Sequence, residues 1–470
     1  MSLAEELAAR AAAAAPAFAR LPDDARGALL ERVADALDAA ADELVSIAGE
    51  ETALPEARLR GELARTTAQL RKFASVVREG AYLEAIVDHA DPGDTPPRPD
   101  LRRMLRPIGP VAVFAASNFP FAFSVAGGDT ASALAVGCPV IVKTHPGHPR
   151  TSALTASLVS GALAEGGAPA GVFAVIDGFE EGLALIDAEP IEAVAFTGSL
   201  RGGRALLERC TARPRPIPFY GELGSLNPVV VTPDADAARG AELAAGLAGS
   251  FQLGDGQFCT KPGLVFVPAG SALEAALPAH VGDGAPRMLT PTIASGFETG
   301  RDRASAIPGV AVVAGGAGAT APTVLAADGA TLLAHRELLD EVFGPVTVLV
   351  RYRDAGELDE LLATLEGSLT MTLHAEPIED VSGLAEWMAS RAGRVLFGGW
   401  PTGVAVSWAQ HHGGPWPATN TVFTSVGATA VRRFQRPVVY QDAPASALPP
   451  ALRDDNPLGI PRRVDGLLHP

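Results

Sequence analysis

Val111-Ala112-Val113-Phe114-Ala115 and, after the turn Gly137-Cys138-Pro139, Val140-Ile141-Val142-Lys143-Thr144 are two short runs joined by an Ala-rich stretch long enough for one helix. A strand with no polar face must be covered on both sides, as happens in a parallel sheet with helices above and below it. The same texture returns at Val172–Ile176, Ala193–Thr197 and Ile217–Tyr220, with Ala/Leu-rich segments between. This alternation predicts a doubly wound α/β sheet. A second α/β region spans about 228 to 410, with strands expected at Leu264–Val267, Val346–Val350 and Met371–His374. Ahead of the first sheet, residues 23 to 90 read as helices, with Asp23 or Asp24 as cap and Leu29, Val33, Leu37 and Leu44 in one stripe, continued by Leu70, Phe73, Val76 and Val77. Asp91 to Pro99 is a polar, Pro-rich break, and Thr421 to Tyr440 reads as a returning strand or hairpin.

Composition bounds the function. At 470 residues the chain suits about two or three domains, and 47% apolar with 19% charged residues describes a globular protein. Its apolar runs stop short of the roughly 18 residues that cross a bilayer. Met1 to Arg20 carries Glu5, Glu6 and Arg10 and does not read as a secretory signal. A net charge of −17 argues against nucleic acid as a partner. Cys138, Cys210 and Cys259 lack metal-ligand spacing, so no metal site is expected and a reducing cytoplasm is the simplest setting. Lysine occurs only at 72, 143 and 261, which draws attention to Lys143 and Lys261.

Two segments carry the strongest chemical signal. Gly256-Gln257-Phe258-Cys259-Thr260 places a thiol in a turn-like stretch, and Phe219-Tyr220-Gly221-Glu222-Leu223-Gly224 places a carboxylate at the end of an apolar strand. A thiolate is a nucleophile when its pKa is lowered and it is accessible; a partly buried carboxylate can serve as a base. Asn118, in Ser117-Asn118-Phe119-Pro120, offers an amide to an oxyanion, with the backbone N–H of Cys259 as second donor. Lys143 ends a strand where doubly wound sheets bind ligands. Phe196-Thr197-Gly198-Ser199 is a strand-to-helix turn open to a pyrophosphate. In Glu341-Val342-Phe343-Gly344-Pro345 the carboxylate could accept from a ribose diol and the ring could face a nicotinamide. Taken singly, the last three fit a plain βα connection or a helix end equally well, and a buried packing thiol is the ordinary alternative for Cys259.

In order and approximate spacing these segments resemble the aldehyde dehydrogenase superfamily, from Arg106-Pro107-Ile108-Gly109-Pro110 to the C-terminal strand. The resemblance implies an α/β fold with a doubly wound Rossmann-type cofactor domain over residues 1–227, including a bridging segment at about 91–108. It implies an α/β catalytic domain carrying the nucleophile over 228–420, and an oligomerisation strand with C-terminal tail over 421–470. It implies Cys259 as nucleophile, Glu222 as general base and Asn118 as oxyanion donor, with Lys143, Gly198, Ser199, Glu341 and Phe343 as cofactor contacts. A homodimer or homotetramer is expected, joined through Val431–Tyr440.

Ser117-Asn118-Phe119-Pro120-Phe121-Ala122-Phe123-Ser124-Val125-Ala126-Gly127-Gly128-Asp129-Thr130, Gly221-Glu222-Leu223-Gly224-Ser225-Leu226-Asn227-Pro228 and His412-Gly413-Gly414-Pro415-Trp416-Pro417 look like the branch of 2,5-dioxovalerate (α-ketoglutaric semialdehyde) dehydrogenases. The expected reaction is NAD(P)-dependent oxidation of a small-molecule aldehyde, 2,5-dioxopentanoate, to 2-oxoglutarate. NADP-dependent oxidation of aliphatic aldehydes is the alternative within that branch. Transfer of the thioester to coenzyme A would suit a chain lacking Glu222, and a non-catalytic binding protein on the same fold would suit one lacking Cys259, Glu222 or Asn118. Where NAD-preferring relatives often carry a glutamate three residues after the ribose lysine, this chain has Pro146, which points to NADP with NAD as an option, although Glu180 and Glu181 stand near the place where an arginine would favour the extra phosphate. His411 and His412 receive no role.

Overall fold

The computed structural model describes residues 2–285, 287–315 and 318–470. Four helices open the chain, Leu3–Phe18, Asp23–Ala39, Ala41–Thr52 and Glu56–Glu79. The first is fixed by a reciprocal cap, in which Ser2 Oγ accepts from the Glu5 N–H at 3.2 Å and Glu5 accepts from the Ser2 N–H at 2.7 Å. The fourth buries Leu59, Leu63, Leu70, Phe73 and Val77 and stops at Gly80, whose φ of +81° suits a residue without Cβ.

The five apolar runs form one parallel sheet, in the order Phe173–Ile176, Val140–Lys143, Val111–Phe114, Ala193–Thr197, Phe219–Glu222. The chain starts in the middle, winds outward through 140 and 173, then returns to build the other half. Helices Gly128–Ala135, Pro149–Glu165, Phe179–Asp187 and Leu200–Ala212 supply the crossovers. The carboxyl ends therefore gather Asn118, Lys143, Gly198 and Glu222 along one rim, the ligand-binding side of such a sheet.

From Glu222 the chain passes through 223–228 into a second sheet of seven strands, ordered Ala311–Gly315, Thr323–Asp328, Val346–Tyr352, Leu264–Pro268, Val229–Val231, Ser368–His374, Ala392–Phe397. Its neighbours are parallel except 311–315 against 323–328. Cys259 lies just before strand 264–268, so base and thiol approach each other where the two sheets meet.

A third sheet corrects two expectations. It runs Gln435–Gln441, Leu101–Pro107, Ile86–Asp88, Arg462–Val464, Leu467–His469. Residues 86–88 are a strand, not the end of the helical region, because Gly80 ends the helix and the partners that pair with 86–88 come from 101–107 and from the C-terminal tail. Residues 421–440 are not one hairpin: Ala428–Phe434 is a 3₁₀ segment that buries Ala428, Val431 and Phe434, and only from 435 does the backbone extend. Strand 435–441 stands at the sheet's edge with Val439 54% exposed. Among the described residues no helix is long and apolar enough to cross a membrane.

Candidate active site

Glu222 ends the edge strand of the parallel sheet and is 3% exposed. A returning segment clamps that strand: Leu223 N–H donates to the Ala418 carbonyl at 2.8 Å, Gly221 N–H donates to Asn420 Oδ1 at 2.8 Å, and Asn420 Nδ2 donates to the Phe219 carbonyl at 2.8 Å. The same segment delivers two partners to the carboxylate. His412 Nε2 lies 2.9 Å from Glu222 Oε1, and Ser425 Oγ donates to Oε2. Burial pushes the carboxyl up, but His412, Ser425 and the more distant Arg433 outweigh it and hold Glu222 below its ordinary value.

Cys259 approaches the same imidazole, with Sγ 3.6 Å from His412 Nε2. Its loop is shaped by a left-handed turn at Gly254, Asp255 and Gly256, with φ of 56°, 55° and 63°. A Cβ on Gly256 would stand 2.3 Å from the Gly344 carbonyl, so this backbone-on-backbone contact admits only glycine. Buried Asn227 fixes the other side, its Nδ2 donating to the Cys259 carbonyl at 2.8 Å and to the Lys261 carbonyl at 2.9 Å. Burial raises the thiol well above its ordinary value; Glu222 and Glu341 add to this, and Arg65 pulls the other way. At rest the sulfur therefore keeps its proton, and one imidazole nitrogen faces both thiol and carboxylate. That geometry can pass a proton from sulfur towards Glu222, or hold an N–H between two anions.

Asn118 reaches the Cys259 loop, its Nδ2 donating to the Gln257 carbonyl at 3.1 Å while its backbone carbonyl accepts from Arg58 Nη2 at 2.6 Å. Arg58 lies against the rings of Phe119 and Phe258, 5.1 and 4.5 Å from their centroids, which themselves meet edge to face. Glu341 also belongs here: a Cβ on Gly224 would meet its carboxylate at 2.3 Å, and the Ser225 N–H donates to it. Beneath it Lys261 Nζ donates to the carbonyls of Val342 at 3.1 Å and Val346 at 2.7 Å. The two form a buried pair, burial raising Glu341 and lowering Lys261 while each opposes that shift in the other. Phe343 sits part-buried in the same 341–345 loop.

Lys143, Gly198 and Ser199 lie along the rim rather than at the thiol. Burial lowers Lys143 and Asp177 opposes it; among the described residues no carboxylate stands within ion-pair distance of its ammonium. Gly198 N–H donates to the Glu222 carbonyl at 3.0 Å, tying this turn to the base's strand, and Ser199 Oγ caps helix 200–212 by accepting from the Gly202 N–H at 3.2 Å. A free ammonium, a helix N-terminus and a carboxylate suit the phosphates and ribose of a dinucleotide. Cys138 is buried with its S–H on the Phe434 carbonyl at 3.3 Å, and burial pushes both it and Cys210 up to about 12. Neither has a nucleophile's setting.

The sequence reading gave His412 no role, quoted Asn227 only within a longer motif and passed over Ser425 and Arg58. His412 is 153 residues from Cys259 and 190 from Glu222, so no local spacing links them. Asn227 left a faint trace as an Asn-Pro following the Gly-rich strand end.

Residues 2–280 match the group described as "Aldehyde dehydrogenase family". The "Alpha-ketoglutaric semialdehyde dehydrogenase 2" of Azospirillum brasilense is 48% identical over 467 residues, covering 96% of this chain and 89% of that protein. An "Alpha-ketoglutaric semialdehyde dehydrogenase" of Acinetobacter baylyi is 42% identical, covering 94% and 87%. Among solved structures, aldehyde dehydrogenase 21 from Physcomitrella patens in complex with the reaction product succinate superposes with a TM-score of 0.79 at 22% identity, covering 94% of this chain and 90% of that one. At that identity the likeness is one of fold.

Proposed function

The chain belongs to the aldehyde dehydrogenase family, and we propose that it oxidises 2,5-dioxopentanoate to 2-oxoglutarate with Cys259 as nucleophile and Glu222 as base. The observation that carries this reading is the single nitrogen of His412, 3.6 Å from the thiol and 2.9 Å from the carboxylate. Glu222, to which the thiol also hydrogen-bonds, takes the Cys259 proton as sulfur bonds to the aldehyde carbon, with the His412 N–H holding the carboxylate in place. The carbonyl oxygen becomes an oxyanion, met by the Asn118 amide and the Cys259 N–H. When bound, NAD(P) would accept hydride from the thiohemiacetal carbon, which takes that carbon to the oxidation level of a thioester on Cys259. Glu222, once it has released the first proton to solvent, takes a proton from water, whose oxygen attacks the thioester carbon. The C–S bond breaks, the acid departs and the sulfur regains its proton.

Members of this family use NAD(P), and Lys143, Gly198, Ser199, Glu341 and Phe343 are our candidates for holding it. We favour NADP, with NAD accepted, because Pro146 takes the place of the glutamate that would stand three residues after Lys143, while Asp177 still bears on that ammonium. A cytoplasmic homodimer or homotetramer suits the three free cysteines and the open edge at 435–441. Initial rates with 2,5-dioxopentanoate and with pentanal, each with NADP and NAD, test the reading. A kcat/KM preference of about a hundredfold or more for the dioxo acid is expected, and equal use of pentanal would reject this substrate.

A further inference from the structure

Helix 56–79 turns a polar stripe towards the catalytic loop. Arg58, Glu62, Arg65 and Gln69 recur at helical spacing, and each leaves a buried polar atom without a partner: Arg58 Nε and Nη1, Glu62 Oε2, Arg65 Nη1 and Gln69 Nε2. Ser124 Oγ and Thr130 Oγ1, from the segment packed opposite, are unpartnered as well. Seven of the fourteen such atoms among the described residues thus line one wall. Buried polar groups are ordinarily satisfied, so a concentration of this kind marks a place where a polar ligand belongs.

Within the wall Arg65 is the free cation nearest the chemistry. Its Nε donates to the Val404 carbonyl at 3.2 Å and its guanidinium lies 5.5 Å from the centroid of Phe123, whose ring is 6.3 Å from that of His412. Burial lowers its pKa, while the charges of Glu62, Cys259 and Glu222 all reach it in opposition. Glu62 does not neutralise it by contact: its Oε1 accepts the N–H groups of Phe121 and Ala122 at 2.8 and 3.0 Å, and no ion pair joins it to Arg65 among the described residues. The neighbouring arginines also leave buried nitrogens unpartnered, Arg58 at Nε and Nη1 and Arg394 at Nε, but their hydrogen bonds turn them to other segments. Arg58 donates to the Asn118 carbonyl and lies against two phenyl rings, and Arg394 donates to the carbonyls of Pro401 and Gly403.

We propose that Arg65 receives the carboxylate at the far end of the aldehyde substrate, with its unpartnered Nη1 as donor and the polar wall accommodating the adjoining 2-oxo group. This rests on the function proposed above and deepens it, making Arg65 the residue that separates a dioxo acid from an aliphatic aldehyde. A planar fork suits a carboxylate, and a buried guanidinium without an anion gains most from one.

The test compares the ratio of kcat/KM for 2,5-dioxopentanoate to that for pentanal in the wild type, R65Q and R65K. The ratio should fall about 30-fold or more in R65Q and recover in part in R65K, which restores charge without the fork. A second readout needs no turnover: 2-oxoglutarate should slow alkylation of Cys259 by iodoacetamide in the wild type and not in R65Q. A high wild-type ratio that stays within about threefold in R65Q, or protection that survives R65Q, overturns the role of Arg65 and leaves the proposed function standing. A wild-type ratio near unity overturns both.

Discussion

Replacing His412 with alanine tests the centre of the mechanism. The substitution removes the donor to Glu222 Oε1 at 2.9 Å and the neighbour of Cys259 Sγ at 3.6 Å. Glu222 is 3% exposed, so water does not readily fill the place of the lost partner. A hydrogen bond to a charged group contributes about 1.5–3 kcal/mol, which corresponds to roughly 10- to 150-fold in kcat/KM when the base form is what reacts. The sign follows from the balance on the carboxyl. In the wild type His412 and Ser425 override burial and hold Glu222 low; without His412 burial gains the upper hand and the carboxyl rises. The acid limb of the kcat/KM profile therefore moves to higher pH in H412A. H412Q keeps an N–H donor for Glu222, so its limb should stay nearer the wild type than that of H412A. The assay is a pH profile with saturating nucleotide, beside the pH dependence of Cys259 alkylation. An H412A acid limb that coincides with the wild type, with kcat/KM within about threefold, would refute the reasoning.

Three further outcomes are expected. N227A removes the donor to the Cys259 and Lys261 carbonyls and leaves them buried, costing about 1–3 kcal/mol of stability, read as a lowered thermal midpoint together with slower alkylation of Cys259; an unchanged midpoint would contradict this. K261M strands Glu341 in a buried site without its cation, so the carboxyl rises further; the KM for nucleotide should increase, most strongly as pH falls through the neutral range, while reactivity of Cys259 towards iodoacetamide in the absence of nucleotide stays close to wild type. Cys259, His412 and Glu222 present sulfur, nitrogen and oxygen donors within 4.8 Å of one another. Zinc should therefore inhibit, protect Cys259 from alkylation and be released by a chelator, and inhibition undiminished in H412A would show that zinc acts elsewhere.

The legible part of the fold was the part whose pattern is local. Strands 111–114, 140–143 and 193–197 announce themselves because a covered parallel strand is apolar along its whole length. Strands 86–88, 462–464 and 467–469 are three residues each and gain their identity from one another across the chain. Strand 392–397 is only part-buried and strand 311–315 mostly exposed at the sheet's rim, so neither has the apolar run that marks a centre strand. The same division holds at the site. Cys259 and Glu222 sit among glycines whose need is local, namely the left-handed turn before the thiol and the close packing of Gly224 on Glu341. His412, Ser425 and Arg65 come to the site from remote segments; His412 stands in a quoted motif that assigns it no role, and the neighbours of Ser425 and Arg65 carry no such pattern.

The pairing of strand 101–107 with strand 435–441 sets a schedule for the chain's synthesis. Arg106 and Tyr440 meet across 334 residues. At a ribosomal rate of about 5–20 residues per second, the earlier strand waits roughly 20 to 70 s for the later one. During that wait it offers an unpaired edge, the usual template for wrong partners. Its sequence, Leu101-Arg102-Arg103-Met104-Leu105-Arg106-Pro107, carries three arginines and ends in a proline. Charge and a missing N–H discourage a neighbouring nascent chain from adding to that edge. The same arginines later serve the finished sheet: Arg102 takes Asp100 and Asp454, and Arg106 reaches Tyr440. Residues that guard the strand while it is alone thus become its fastenings once the C-terminal segment arrives.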